Sequence, residues 1–286
     1  MANTLYNFVP EKWATKLDEN LYNTSTMLKL VNTDYEGEIK NGGDTVQIRT
    51  PGTVSYGTYS GSVSYEDLSP TKTSMLIDQY KYFAFSVSDI EKAQSDIEIM
   101  ENHVDEANES RRLTIDSHLL AHYANASSAN QVDASDYEGG AADAGVPLSK
   151  DTIYKHFTAL RRKLANSNAI PQGSMPWVVI NPTVTDYLSQ CPEFLNLEKL
   201  GEKAVKDGKV GRIAGFDIYE TTNLTAVSSK YYCLAGTKKS ITFAHQLSKV
   251  EDIRREGTFG TGVRGLDLYG SKVINPARLG VLIFAA

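Results

Sequence analysis

The feature that most constrains the fold is an unbroken helical pattern over residues 96–126, which contain no Gly or Pro. Apolar side chains recur there at nearly helical spacing, at Ile97, Met100, Val104, Ala107, Ile115 and Leu119. At about 1.5 Å per residue, such a helix would span about 45 Å. Because helices in globular proteins average about a third of this length, we predict a strut that crosses the whole molecule.

The segment before this helix has β character but too few aliphatic residues to form its own core. Gly residues separate Thr-, Ser- and Tyr-rich alternating stretches over residues 39–70, which include Tyr56, Tyr59 and Tyr65. A two-stranded ribbon is not stable in water unless it lies on another surface. We therefore predict an extended hairpin that lies either on a neighbouring subunit or, less favoured, on its own domain.

The N-terminal segment indicates a short amphipathic helix over residues 10–21. Trp13, Leu17 and Leu21 recur at four-residue spacing, and Pro10 suits the first helical turn. A helix of about a dozen residues is marginal in water by itself. Its apolar stripe is therefore expected to pack on the body of the chain or on another subunit.

The remainder of the chain mixes helices and strands, so the predicted class is α+β. Residues 127–147 are rich in Ala, Ser, Asp and Gly and predict a surface loop, after which Ser149 caps a helix. A buried strand at 177–180 precedes a short helix that begins at Asn181 and Pro182. Five further strands are predicted, at 216–220, 231–234, 240–244, 265–269 and 280–284.

The amino-acid composition of the chain argues against several classes of protein function. The 286 residues include 35 acidic and 29 basic side chains, and the net charge of −6 is the wrong sign for tight binding to phosphates. Cys191 and Cys233 lack the spacing of a metal site and predict two buried thiols. There is no run of 18 apolar residues and no basic start followed by an apolar stretch, so neither a membrane span nor a secretory signal is predicted.

Two histidines, His118 and His122, lie four residues apart on the long helix, as in the zinc-binding helix of some proteases. Leu119 follows His118 where such a helix carries a Glu, and no third ligand is evident. Polar positions on a packed helix are the favoured interpretation, and a metal-dependent hydrolase remains a remote alternative. We predict no catalytic site and no cofactor.

The string Gly260-x-Gly262-x-x-Gly265 matches a dinucleotide-binding fingerprint only as letters. That fingerprint requires a preceding strand and a following helix. Here a polar segment, 251–256, precedes the string and a strand-like segment, 266–269, follows it. The pattern therefore predicts a flexible loop.

Residues 251–256 also form the densest charge cluster of the chain, with Glu251, Arg254 and Arg255. One interpretation is a solvated face held by ion pairs, and the other is an electrostatic contact between subunits. We count these three residues with Arg49, the tyrosines of the hairpin, Trp13 and Leu17 as candidate intersubunit contacts.

Taken in order, these segments resemble the major capsid proteins of tailed bacteriophages, the Hong Kong 97 fold, over nearly the whole chain. The residues that carry the resemblance are Met-Pro-Trp-Val-Val-Ile-Asn-Pro at 175–182, Gly-Arg-Ile-Ala-Gly-Phe-Asp-Ile-Tyr at 211–219, Thr-Thr-Asn-Leu at 221–224, Arg-Arg-Glu-Gly-Thr-Phe at 254–259 and Val-Arg-Gly-Leu-Asp-Leu-Tyr-Gly-Ser-Lys-Val at 263–273.

The resemblance implies a division of the chain into five parts. They are an N-terminal arm (1–35), an extended hairpin called the E-loop (36–76), a peripheral domain (77–175) with a spine helix at about 96–126, an axial domain (176–250) and return strands (251–286).

It also implies a structural protein that is not an enzyme, made in the host cytoplasm and located in the virion. Its expected partners are copies of itself in pentamers and hexamers, a separate scaffolding protein, a portal, and packaged double-stranded DNA through weak contacts, without a membrane. An encapsulin-type compartment is the related alternative.

Overall fold

The computed structural model describes residues 26–35, 45–50, 52, 54–59, 61, 65, 70–89, 99–137, 140–191, 209–224, 226–255, 257 and 259–285. Three α-helices lie in these ranges: α1 (Ile99–Leu120), α2 (Ile153–Asn166) and α3 (Pro182–Ser189). The described strands are β1 (Thr45–Thr50), β2 (Thr71–Leu76), β3 (Gln79–Ser88), β4 (Gln131–Val132), β5 (Trp177–Ile180), β6 (Lys209–Ile213), β7 (Phe216–Glu220), β8 (Lys230–Gly236), β9 (Ile241–Arg254), β10 (Gly260–Val273) and β11 (Leu279–Ala285). No described helix is both long and apolar enough to cross a membrane.

The strands form three sheets, and the α+β class is confirmed. A mixed six-stranded sheet has the order β4-β11-β8-β5-β7-β6, in which β5 pairs parallel to β7 and β4 parallel to β11. An antiparallel sheet has the order β3-β10-β9, and β1 and β2 form a separate hairpin. Of the predicted strands, those at 177–180 and 216–220 coincide with β5 and β7, whereas β9 and β10 are far longer than predicted.

The main core lies around the six-stranded sheet. All four residues of β5 are buried, and α2 buries one stripe of side chains, as its apolar spacing predicts. The stripe consists of Ile153, Phe157, Leu160 and Leu164. Gly280 of β11 lies directly beneath this stripe, because a Cβ there would come within 3.0 Å of Leu160 Cδ1.

The long helix is present but ends earlier than predicted. α1 covers 22 residues, about 33 Å, and a 3-10 helix (Ala121–Asn125) continues it before the chain becomes extended at Ala126. The predicted C-terminal end at residue 126 is therefore wrong by about six residues. The first predicted residues, 96–98, lie outside the described ranges.

The predicted surface loop at 127–147 is largely exposed or half-buried, but a few of its residues enter the core. Asn130 and Val132 are fully buried, and β4 adds a parallel edge to β11. Val146 is buried too and bridges to Phe284 of β11. The polar composition was misleading because hydrogen bonds satisfy the buried groups, as when Asn130 Nδ2 donates to the carbonyl oxygen of Ala277 at 2.6 Å.

A fully buried carboxylate, Asp116 of α1, joins three distant parts of the chain. Its Oδ1 accepts hydrogen bonds from the backbone N–H groups of Thr26 (3.0 Å) and Met27 (2.7 Å), at the start of a 3-10 helix (Met27–Lys29). Its Oδ2 accepts a bond of 3.0 Å from Asn223 Nδ2, in the loop after β7. The side chain thus fixes the N-terminal segment and this loop to the same point of the helix.

Candidate assembly surfaces

The β1–β2 hairpin is anchored at its root. The two strands pair in register from Thr45 opposite Leu76 to Thr50 opposite Thr71. One face of the hairpin is apolar, and it forms a small core that is separate from the main one. This small core contains Val46, Ile48, Met75, Ile77 and Ala244.

Backbone contact with β10 fixes the position of the root. Gly270 of β10 lies against the peptide of Leu76, and Lys272 Nζ donates a hydrogen bond of 2.7 Å to the carbonyl oxygen of Ser74. The predicted extended hairpin is therefore present, and its root packs on its own chain.

The far end of the hairpin is exposed. The relative exposures of Tyr56, Tyr59 and Tyr65 are 105%, 73% and 95%, so these rings are not buried on the described part of their own chain. Arg49 on β1 is exposed as well. Solvent-exposed aromatic side chains on a protruding segment are typical of protein–protein interfaces. The contacts that these side chains make with another subunit remain a prediction.

Helix α1 covers one face of the β3-β10-β9 sheet, and among the described residues the hairpin root covers only part of the opposite face. Helix α1 lies on the covered face, where His118 meets Tyr269 with ring centroids 5.4 Å apart and Arg111 Nε lies 3.7 Å from Asp267 Oδ2. On the opposite face Tyr80 is 58% exposed and Tyr82 is 81% exposed.

Sequence reasoning missed this second face. The apolar alternation at Phe83, Phe85 and Val87 predicts one buried face of this strand, and the preceding tyrosines were assigned no role. The signal was nevertheless present, since Tyr80, Tyr82 and Ala84 occupy every second position of a strand whose other face is also apolar.

The charge cluster forms ion pairs within the chain. The guanidinium of Arg254 donates to both carboxylate oxygens of Asp89, one of them at 2.9 Å, and Arg264 pairs with Glu251 at 2.7 Å. Arg255 donates to Ser86 Oγ at 3.1 Å. The interpretation as a solvated, ion-paired face therefore holds for the single subunit, while the intersubunit role of these residues stays untested. Trp13 and Leu17 lie outside the described residues.

The two histidines of α1 take part in a hydrogen-bond chain. Asn125 Nδ2 lies 2.9 Å from His122 Nδ1, and the Nε2 atoms of His122 and His118 lie 2.7 and 2.9 Å from Ser271 Oγ. Because the amide of Asn125 donates, His122 carries its proton on Nε2 and donates to Ser271, whose hydroxyl donates to His118. Both Nε2 atoms thus face a hydroxyl of β10, and the described residues hold no group of three or more His, Cys, Asp or Glu side chains placed for a metal ion.

Burial, together with the neighbouring His118, lowers the pKa of His122 to about 4, and burial also lowers the pKa of His118. As the pH falls, His122 is protonated near pH 6.5 in the unfolded chain but only near pH 4 in the folded chain. The contribution of His122 to the free energy of unfolding is fully present above pH 6.5. It is lost as the pH drops towards 4, and the loss is about 2 kcal/mol after allowance for the partial exposure of the side chain.

We expect the variant His122→Asn to lose less free energy of unfolding between pH 7 and pH 4.5 than the wild type, as measured by urea denaturation at each pH. Thr114→Ser, at an exposed and non-titrating position of α1, serves as the control and should keep the wild-type slope. An unchanged slope in His122→Asn would contradict the prediction.

The predicted flexible loop at Gly260, Gly262 and Gly265 is wrong, because all three glycines belong to β10. The preceding polar segment belongs to β9 as far as Arg254. The ring of Phe83 on the neighbouring strand fills the space beside Gly265, since a Cβ there would lie 2.2 Å from that ring and the ring would have to move. The glycines lie within strand β10 and not in a turn that opens an α-helix, so the arrangement is not that of a dinucleotide-binding turn.

Comparison with known proteins places the fold. No protein-family model and no curated protein sequence matches the chain. Solved structures do match it. One from Mycobacterium phage Che8 is 22% identical with a TM-score of 0.74, and the match covers 96% of this chain and 97% of that one.

The capsid of Ralstonia phage GP4 is 11% identical with a TM-score of 0.74, over 100% of this chain and 99% of that one. The capsid of cyanophage Pam1 is 12% identical with a TM-score of 0.73, over 100% and 98%. The resemblance inferred from the sequence is confirmed at the level of the fold: over its whole length, this chain has the fold of phage capsid structures.

Proposed function

We propose that this chain is the major capsid protein of a tailed phage, a structural subunit that assembles with copies of itself into an icosahedral shell. The main support for the proposal is the geometry of the β1–β2 hairpin. Its root is fixed to its own chain, and its tip has exposed tyrosines. The capsid fold of the whole chain supports the same conclusion.

The hairpin multiplies the contact area of each subunit. A standard protein interface removes about 1,600 Å² of surface from water, and several such interfaces per subunit make a shell far more stable than any one contact. Contacts between unlike surfaces of identical subunits close into rings, so pentamers and hexamers are the proposed building units. Tyr56, Tyr59 and Tyr65 are the proposed contacts of the tip, with Arg49 on the strand below it.

The wider setting of the shell is also part of the proposal. The arm, E-loop, peripheral and axial domains and return strands keep the boundaries given above, and α1 is the proposed spine helix. The shell encloses double-stranded DNA, which the acidic subunit contacts only weakly, so the DNA can move while it is packaged. A separate scaffolding protein and a portal act during assembly in the host cytoplasm, and the mature subunit resides in the virion.

Removing the hairpin tip tests the proposal. We expect a deletion of residues 52–64 to leave a folded subunit, because the described tip side chains contribute nothing to either core. The same deletion should abolish shells, as measured by negative-stain electron microscopy and sedimentation. Normal particles from the deletion variant would refute the role of the hairpin.

A substitution series refines this test. The triple variant Tyr56→Ser, Tyr59→Ser and Tyr65→Ser should also fail to form shells, since it removes aromatic contact area and keeps the chain length. As a matched control, Lys238→Ser with Lys239→Ser changes two exposed residues in the turn between β8 and β9 and should assemble normally. DNA or a protein cargo within purified particles distinguishes a phage capsid from an encapsulin-type compartment.

A further inference from the structure

Strand β3 lies at an edge of its sheet, and it pairs with β10 on one side. Two hydrogen bonds fix which of its backbone groups point to the other side. Asp89 N–H donates to the carbonyl oxygen of Phe259 at 3.1 Å, and Arg255 N–H donates to that of Gly260 at 3.1 Å. In an antiparallel ladder, each strand bonds to its two neighbours with alternate residues. Gly260 and every second residue after it therefore bond to β9, and the residues between them bond to β3.

The same alternation assigns the backbone groups of β3. Val87, Phe85 and Phe83 exchange hydrogen bonds with Thr261, Val263 and Gly265. The N–H and C=O groups of Tyr80, Tyr82 and Ala84 consequently point away from β10, towards the open edge. No described segment of the chain forms a ladder with that edge.

This edge lacks the usual protection against pairing. Natural edge strands are commonly guarded by charged side chains, Pro residues or bulges. In its ten residues β3 has one charged side chain, Lys81, and no Pro, and its register with β10 runs without a bulge. Aromatic side chains lie on both of its faces. An exposed edge of this length and apolar character is a template for a strand from another molecule.

The hairpin tip supplies a segment that suits this edge. Residues 54–59 (Val-Ser-Tyr-Gly-Thr-Tyr) are rich in residue types that favour strands, with Val54 and Tyr56 on one face, yet they lie in no helix or sheet of the structure. Val54, Tyr56 and Tyr59 are exposed on this segment, and Tyr80 and Tyr82 are exposed beside the edge. Residues 54–59 and the open edge of β3 therefore each offer backbone hydrogen-bonding groups and exposed aromatic side chains. Residues 54–59 lie at the tip of the hairpin, whereas β3 follows its root, which is fixed to the same chain, and this separation favours pairing between two copies.

We propose that the open edge of β3 is completed by residues 54–59 of a second copy of this chain, which extends the β3-β10-β9 sheet by one strand across the subunit interface. This inference rests on the proposed function and names the receiving surface and its chemistry. Backbone hydrogen bonds to Tyr80, Tyr82 and Ala84 supply the register, and the exposed tyrosines supply apolar contact.

The substitution Ala84→Pro tests the edge. Proline at this position removes an N–H group that points outward and leaves the hydrogen bonds to β10 intact. Edge strands tolerate proline at such outward-facing positions. We expect the variant to remain folded and to form fewer than about a tenth as many shells as the wild type, by sedimentation and electron microscopy. Ala84→Ser keeps the N–H group and is the matched control, with wild-type yield expected.

Hydrogen exchange of the unsubstituted protein gives a second measurement that needs no variant. On assembly, the outward-pointing amides of Tyr80, Tyr82 and Ala84, and alternate amides within 54–59, should slow by at least about a hundredfold relative to the unassembled subunit. Protection of 80–84 without protection of 54–59 would overturn the proposed occupant, and unchanged exchange at 80–84 would overturn the use of the edge.

The outcomes also separate this inference from the proposed function. Wild-type protein that never forms shells counts against both. Shells from Ala84→Pro at the wild-type yield reject the strand pairing alone and leave the capsid function standing. If Ala84→Pro unfolds, the exchange measurement on wild-type shells decides.

Discussion

Substituting Asp116 with Ala is expected to lower the free energy of unfolding by about 4 kcal/mol, more than any exposed substitution on the same helix. The carboxylate is fully buried and accepts hydrogen bonds from Thr26 N–H, Met27 N–H and Asn223 Nδ2. Its loss removes the acceptor of all three donors at once, in a place where the surrounding core limits the entry of water. The higher helix propensity of Ala offsets only a few tenths of a kcal/mol of this loss.

Urea denaturation followed by circular dichroism measures the effect of Asp116→Ala. The matched control is Asp105→Ala, an exposed position on the same helix, which should change stability by less than about 0.5 kcal/mol. Hydrogen exchange provides the local readout, because residues 26–31 should lose protection first. Equal stability of the two variants would show that Asp116 does not hold these segments together.

Gly270→Ala is expected to destabilise the subunit by about 3 kcal/mol and to loosen the hairpin root. A Cβ at this position would lie 2.2 Å from the carbonyl oxygen of Leu76 and 2.9 Å from Ile77 Cα. Both are backbone atoms, so no side-chain rotation relieves the clash. The root must then move away from β10, which separates Met75 and Ile77 from Ala244 in the small core.

Gly262→Ala on the same strand is the matched control for Gly270→Ala. The nearest atom to a Cβ there is Arg255 Cγ at 3.6 Å, an ordinary contact, so stability should change by less than about 0.5 kcal/mol. Thermal unfolding compares the two variants. A wild-type melting temperature for Gly270→Ala would mean that the root is not held by close backbone packing.

The sequence predicted best those elements whose neighbours bury one face. The stripe of α2 and the apolar run of β5 were recognised because burial imposes a period on the residue types. β9 and β10 were recognised only in part, because the end of β9 is exposed, β10 contains four glycines, and both carry charges such as Glu251 and Arg264. Their length depends on pairing with each other, which is information from distant parts of the chain.

Other features could not be read from local patterns for the same reason. β4 becomes a strand because β11, about 150 residues away, offers it an edge. Asp116 was not singled out, since its three partners lie about 90 and 107 residues distant. The hairpin and its tyrosines were predicted, because a ribbon without its own core implies an external surface, but the open edge of β3 required the hydrogen-bond alternation of the sheet.

The burial of both native thiols makes the subunit suited to site-selective labelling. Cys191 and Cys233 are fully buried and form no disulfide, and burial raises the pKa of Cys233 to about 12. Thiolates, rather than thiols, react with maleimides, so the native cysteines stay inert in the folded protein. A cysteine introduced at Tyr56 would then be the one reactive thiol of each subunit, and a fluorophore attached there would report directly on when the tip becomes covered.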